Sequence, residues 1–462
     1  MDTTICAKLI STFKGRREAI ILRVDKPVRI GRHPSCEYPV ESVFLSLHHC
    51  SLFAVPSQHG GAIVSCQDYS RNGLLLNGFR ILSKSSCILM HGDKLELPNG
   101  QVFICEHVWK DRLEKVDLFD PTPPVVQPTK TMRIENFLVS TPPGRSLVAL
   151  LSIPSYLTIL DPSYRQVAVK AIRRKKQCDM SAVFKEVTIL NGLDHPNINK
   201  IYSTQQNDEF MFIFLQLCTG GDLFTYITTT CEKNRRLCEA ETKFIMYQLL
   251  VGLSYLHGQS ISHRDLKPEN ILLYAPGPYP RIVIGDFGLA RPRAYEETLN
   301  VCGTISYLPP EGILALDNGH LRYTGMPSDC WSAGVILYIM ICGMHPYDND
   351  RASLDWHSHI RDSHDYDSRC SQSYHDNEQC LKQRIVNHRI DYYEHHWTNL
   401  EDAKDLTTRL LIYDYNQRAT VQDALQSRWI ASELALLNQT YKSRCGRSAN
   451  TLNRADAHAR HR

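Results

Sequence analysis

Apolar residues in the first hundred positions come in short runs: Ala19–Val24, Leu52–Val55, Ala62–Val64, Leu74–Leu76 and Val102–Cys105. Turn residues separate them, among them His59-Gly60-Gly61, Asn72-Gly73 and Asn77-Gly78. Glycine and asparagine accept the left-handed backbone that tight hairpins need, so this spacing predicts an all-β sandwich over residues 5–109. The pattern stops at Asp120–Lys130, DPTPPVVQPTK, where proline fixes φ and removes backbone donors. Residues 110–133 therefore read as a proline-rich, semi-rigid linker. Strand-like runs return at Val167–Ile172 and Phe210–Leu215, and helical patterns cover Ala182–Leu193, Ala240–His257 and Pro327–Gly343. Strands first and helices afterwards predict a bilobal α+β domain over residues 134–430, making the chain multidomain. The polar stretch Asp348–Asp376 reads as a surface insertion. Residues 431–462 read as a basic tail, expected to be unstructured from Tyr441 onward.

Composition narrows the function classes. The 462 residues carry a formal charge of only +3, so neither a membrane surface nor direct nucleic-acid binding is expected. The most apolar stretch, Trp331–Gly343, falls short of the roughly 20 residues that span a bilayer and reads as a buried helix. The sixteen cysteines are scattered without paired motifs, which suits a reducing compartment. Histidines cluster between His345 and His396, near Cys370 and Cys380, but without a zinc spacing; a solvated insertion is the simpler reading. Arg173–Lys176 reads as a solvated turn, whereas the basic tail makes the nucleus the expected location.

The chemistry is concentrated in His263–Asn270, HRDLKPEN, followed by Asp286-Phe287-Gly288. Transfer of a phosphoryl group asks the protein for a carboxylate to orient the attacking hydroxyl, hard oxygen ligands for Mg²⁺ and positive charge on the phosphates. Asp265 suits the first task, Asn270 and Asp286 the second, and Lys267 can reach the transferring phosphate. Upstream, the apolar strand Val167-Ala168-Val169-Lys170 ends in an ammonium suited to gripping phosphates, and Glu186 in the helical run is its natural partner. Each of these alone could be an ordinary surface ion pair; the ordered series is what points to a catalyst.

Residues 134–430 thus resemble a eukaryotic protein kinase domain. Pro309-Pro310-Glu311 stands at the family's Ala-Pro-Glu, Asp329–Gly334 matches its helical D-x-W-S-x-G, and Arg418 is the late arginine expected to pair with Glu311. The resemblance implies Leu215 as gatekeeper, Gln216–Cys218 as the adenine-binding hinge, and ATP with Mg²⁺ as cofactors. Lys267, with Gly303-Thr304 before Tyr307, resembles serine/threonine kinases, and Arg264 resembles the arginine that an activation-segment phosphate neutralises. Thr298 and Thr304 are the candidate phosphorylation sites, Asn300 standing where relatives often have threonine. Asp222, in Gly220-Gly221-Asp222-Leu223, implies a preference for substrates basic upstream of the target. The glycine-rich phosphate loop is missing: Gly144–Pro154 holds one glycine, Gly144, to approach the phosphates. Either the domain is degenerate and the chain a phosphopeptide-binding scaffold, or the sequence is anomalous locally in an active kinase.

Gly31-Arg32, Ser46-Leu47-His48-His49 and Asn72-Gly73 resemble the forkhead-associated (FHA) domain, a β-sandwich that binds phosphothreonine peptides through loops at one end. The resemblance assigns Arg32 and Ser46 to the phosphate and Asn72 to the peptide, with Gly31, His49 and Gly73 shaping the loops. Leu47 departs from the polar residue common at its position. An FHA module before a kinase resembles the checkpoint kinase family, most of all the meiosis-specific FHA kinases of fungi. That implies a phosphothreonine adaptor as partner, protein substrates and transient self-association for trans-autophosphorylation.

Overall fold

A computed structural model describes residues 5–108, 130–134, 137–141, 151–154, 163–174, 180–298, 301–347 and 370–445, apart from positions 25, 57–61, 82–83, 209, 231–235, 319 and 389 within them. By its internal contacts the chain divides into two compact units. The first comprises Met1–Tyr226, Leu272–Val283 and Arg444–Arg462, and the second comprises Ile227–Ile271 and Ile284–Ser443.

The N-terminal part of the first unit is the expected sandwich of two sheets. One sheet runs Phe79–Ile81, Leu75–Leu76, Lys94–Glu96, Val102–His107, Ile5–Phe13, Arg16–Arg23 in spatial order; the other runs Tyr38–Pro39, Val28–Gly31, Cys50–Pro56, Ala62–Asp68, Ser86–Ile88. Alternation sends Cys50, Leu52 and Ala54, and on the neighbouring strand Ala62, Val64 and Cys66, into one core with Leu9, Leu22, Leu95 and Phe103. The short apolar runs of the sequence are these strands.

Beyond it, antiparallel pairing joins Lys130–Ile134, Phe137–Thr141, Leu151–Pro154, Ser163–Arg173, Phe210–Gln216 and Ile201–Gln206. A strand thus begins at Lys130, inside the expected linker. The strand before Ser163–Arg173 is Leu151–Pro154, and the residues between the two, 155–162, lie outside the described residues. Gly144 falls in the connection 142–150, also outside them. Val167, Val169, Phe212 and Phe214 form the small core here. The side-chain amide of Gln166 bonds both the N–H and the C=O of Ile88 in the sandwich, at 2.7 and 3.1 Å.

The second unit is helical. Its centre is Gly325–Cys342, buried almost all round, as an apolar helix without a polar face must be. It is long and apolar enough to cross a membrane by composition, but 89% of that window is buried inside the fold, as in a core helix. Gly343, at φ +73°, ends it, its N–H bonding Ile339 O at 2.8 Å. The expectation of an unstructured chain from Tyr441 is overturned: residues 434–445 are helical, Asn438 accepts from the Tyr247 hydroxyl at 2.8 Å, and Tyr441 packs edge-on against the Tyr247 ring with centroids 5.9 Å apart. Residues 446–462 and most of the insertion lie outside the described residues, and from Cys370 the chain is already in the helix Cys370–Val386.

Arg418 and Glu311 form a buried ion pair in this unit. The guanidinium, with no side-chain exposure, makes two bonds of 2.7 and 2.9 Å to the carboxylate, bonds the carbonyls of Ile412, Pro327 and Tyr413, and lies over Trp331. Removing one partner of such a pair strands a buried charge. Arg418→Ala is therefore expected to cost about 3–5 kcal/mol, read as the denaturation midpoint of the full chain.

Burial lowers the imidazoles of His49, His107 and His195 below their ordinary 6.5, His195 to about 4. Each is held neutral when folded, so the unfolded chain binds protons first. The stability they contribute is complete above pH 6.5 and is lost as the pH falls below it, for His195 on the way down to about 4. Thermal unfolding at pH 7 and 5 should show the lower midpoint at pH 5, with the difference reduced in His195→Gln.

Candidate functional site

In the first unit, the ammonium of Lys170 lies 2.9 and 3.0 Å from the two carboxylate oxygens of Glu186. The strand Ser163–Arg173 carries Lys170 and the helix Ser181–Asn191 carries Glu186, which is buried while Lys170 keeps 40% side-chain exposure. A buried carboxylate thus aims a half-exposed cation without hiding it. Leu215 and Gln216 close the strand Phe210–Gln216, and the Gln216 N–H bonds Lys200 O at 2.7 Å. Burial pushes the Cys218 thiol up to about 12, so it behaves here as a small apolar group. Asp222 does local work the sequence did not show: its carboxylate accepts from the N–H and hydroxyl of Thr225, at 2.7 and 2.9 Å, capping the helix Leu223–Thr230.

In the second unit, one carboxylate organises the catalytic loop. Asp265 Oδ1 accepts from the Thr304 N–H at 2.9 Å and hydroxyl at 2.8 Å; Oδ2 accepts from the Asn270 amide at 3.0 Å and lies 3.2 Å from Lys267 Nζ. Lys267 also donates to the Thr304 hydroxyl at 2.8 Å. Asn270 uses its amide N–H groups on Asp265, which leaves its carbonyl oxygen as a hard donor. Asp286, at φ +55°, is exposed, while Phe287 beside it is buried edge-on against His263 with ring centroids 5.0 Å apart. Among the described residues no three His, Cys, Asp or Glu side chains converge on a metal. Two protein oxygens, with phosphate and water completing the shell, are what Mg²⁺ ordinarily takes, so Asn270 and Asp286 fit it.

Sequence reasoning passed over the anchor of this loop. Asp329, 1% exposed on the core helix, accepts from the backbone N–H of His263 at 2.9 Å and of Arg264 at 2.8 Å, and from His257 at 3.0 Å. The signal was present as the aspartate opening D-x-W-S-x-G, but its partners lie more than sixty positions away. His263 in turn bonds Gly285 O at 2.9 Å, next to Asp286. Arg264 sits at φ +70°, and its Nε donates to the Tyr323 hydroxyl at 3.0 Å. Tyr323 is paired through both backbone groups with Thr298, one of the candidate phosphorylation sites. Asn300 lies outside the described residues. Thr304, the other candidate, is tied to Asp265 and Lys267, an arrangement of a positioning residue rather than an accessible acceptor. Gly303, at φ +116°, makes this approach possible, because a Cβ there would sit 2.5 Å from Arg264 O.

At one end of the sandwich the three phosphopeptide candidates come together. Arg32 is exposed, whereas its neighbour Arg29 is occupied by a bidentate pair with Glu37 that holds the Glu37 carboxyl down at about 2. The Ser46 hydroxyl accepts from the Arg71 N–H at 3.3 Å, and the Asn72 amide donates to Phe44 O at 2.7 Å. His49, buried and neutral, accepts from the Ser46 N–H through Nδ1 and donates from Nε2 to Gly73 O, tying the two loops together. At Gly31 a Cβ would lie 2.3 Å from Leu47 O, so only glycine lets this loop close.

Residues 155–430 match the protein kinase domain and residues 28–98 the FHA domain. The chain belongs to the protein kinase family, and its N-terminal sandwich is an FHA domain. It is 29% identical to the meiosis-specific serine/threonine-protein kinase mek1 of Schizosaccharomyces pombe, over 96% of this chain and 90% of that one. It is 28% identical to the probable serine/threonine-protein kinase fhkE of Dictyostelium discoideum, over 89% of this chain but only 53% of fhkE, so it spans about half the length of that relative. Calcium/calmodulin-dependent protein kinase type 1 of Macrobrachium nipponense is 31% identical over 61% of this chain and 72% of its own.

If Thr304 positions Asp265, Thr304→Val should lower kcat by roughly 10²-fold with little change in thermal midpoint, and Thr304→Ser should restore most of it. Phosphorylation of a peptide substrate by the full chain measures this.

Proposed function

We propose that this chain is a serine/threonine protein kinase that transfers the γ-phosphate of ATP to protein hydroxyls and is recruited by its FHA domain to phosphothreonine adaptors. The observation that carries the catalytic part is the closed set Asp265, Asn270, Lys267 and Thr304, with every polar contact at 2.8–3.2 Å. Asp265 has one oxygen held by Thr304 and one beside Asn270, an orientation that lets it accept a hydrogen bond from an incoming hydroxyl. Lys267, 24% exposed at its side chain, supplies positive charge beside Asp265, and Lys170 is the ammonium for ATP's phosphates. Asn270 and Asp286 would hold Mg²⁺, which when bound neutralises charge on the transferring group.

For the recruitment part, the exposed Arg32 fork, the Ser46 hydroxyl and Asn72 on cross-tied loops suit a phosphorylated side chain. Similarity to mek1 along nearly the whole length supports a role in meiotic recombination or DNA-damage checkpoint signalling, acting in the nucleus. Adaptor binding would gather copies of the chain, so that each phosphorylates the activation segment of another at Thr298. A phosphate there would meet the segment that Tyr323 links to Arg264. The scaffold reading rests on the glycine-poor segment 144–154 and is separated by the same assay.

Autophosphorylation with ATP and Mg²⁺ is expected for the full chain, falling at least ~10²-fold in Asp265→Asn and vanishing in Asp286→Ala. Wild type without Mg²⁺-dependent autophosphorylation would establish the scaffold instead. Arg32→Ala should weaken a phosphothreonine peptide by roughly 10-fold or more while leaving autophosphorylation in dilute solution intact.

A further inference from the structure

Three large apolar side chains stand in solvent within five residues of one another: Val43 at 87%, Phe44 at 58% and Leu47 at 54% exposure. Single exposed hydrophobics are ordinary on any protein. These three flank Ser46, and their backbone is not loose. Phe44 O receives the Asn72 amide at 2.7 Å, and Leu47 O receives the His33 N–H at 3.0 Å and faces Gly31 and the Cys36 thiol. Leu45 between them is buried and roots the loop in the core. The loop is therefore fixed with its apolar groups turned outward, at the side of the site that already contains an exposed arginine, a hydroxyl and an amide.

We infer that Val43, Phe44 and Leu47 form the specificity surface of the FHA domain, and that its ligand is a phosphothreonine peptide carrying a bulky aliphatic or aromatic residue near the phosphothreonine. The inference rests on the phosphothreonine-binding reading of Arg32, Ser46 and Asn72. Phosphate contacts supply affinity common to every such peptide, and one apolar side chain covering this surface discriminates among them. Asn72 couples the two parts, because the amide assigned to the peptide backbone is also the group that holds Phe44 in place. Phe44 stands two residues before Ser46 and Leu47 directly after it, so a peptide seated at the Ser46 hydroxyl and the Asn72 amide lies beside this surface. The Arg32 and Arg71 side chains, both exposed, add positive charge that favours this ligand over a purely apolar partner.

Binding of the full chain to fluorescent phosphothreonine peptides, with leucine or serine at each of the three positions on either side of the phosphothreonine, tests this. At one position leucine should bind about 10-fold tighter than serine, equivalent to about 1.4 kcal/mol. The double variant Phe44→Ser/Leu47→Ser should shrink that ratio to within about twofold while still preferring phosphorylated to unphosphorylated peptide. That retained preference also shows the variant is folded. Phosphate preference without a leucine effect in wild type, or a leucine effect unchanged in the double variant, overturns the inference while the phosphothreonine reading stands. Absence of any phosphate preference in wild type overturns both. If sedimentation shows that the variant loses self-association while peptide preference is unchanged, the surface serves a second copy of the chain and the inference fails.

Discussion

The buried carboxylate of Asp329 is the constraint on which the catalytic half of the molecule depends. A charge at 1% exposure is costly unless every oxygen is satisfied, and here two backbone N–H groups and an imidazole satisfy it. The two N–H groups belong to His263 and Arg264, immediately before Asp265, so the catalytic loop is fastened to the core helix just ahead of its reactive residue. That attachment holds Arg264 at positive φ, a strain of the order of 1–3 kcal/mol that the surrounding bonds sustain. From the same loop His263 reaches Gly285 and packs on Phe287, which carries the constraint to Asp286.

The activation segment is fastened from the same place. Thr304 bonds Asp265 and Lys267, while Tyr323 joins the Arg264 guanidinium to the backbone of Thr298. Arg264 thus already has a neutral hydroxyl partner before any phosphate is added. A phosphate there would meet a contact that is already geometrically in place.

The FHA domain solves a related problem with different materials. Its loops bind nothing by themselves unless they are held still, and a neutral buried histidine, a glycine without a Cβ and an asparagine amide do the holding. With its backbone satisfied in this way, the loop at 43–47 can afford to expose apolar side chains. Function in both domains sits on irregular segments braced by a rigid scaffold.

Much of this was legible in the sequence. The short apolar runs between turn residues marked the strands of the sandwich, the apolar run marked the core helix, and the order of residue types picked out Lys170 with Glu186 and Asp265 with Asn270, which the fold brings into contact. Those are local signals, carried by residue type and short-range order. What the sequence could not show was which distant group each residue meets. Asp222 as a helix cap, Asp329 as the anchor of a loop over sixty residues earlier, Tyr323 as the partner of Arg264, and the packed helix where an unstructured tail was expected all depend on tertiary neighbours. Sequence by itself determined the chemistry available and its order along the chain; only the folded structure decided which polar groups are buried together and must satisfy one another, because that depends on proximity in space and not on spacing along the chain.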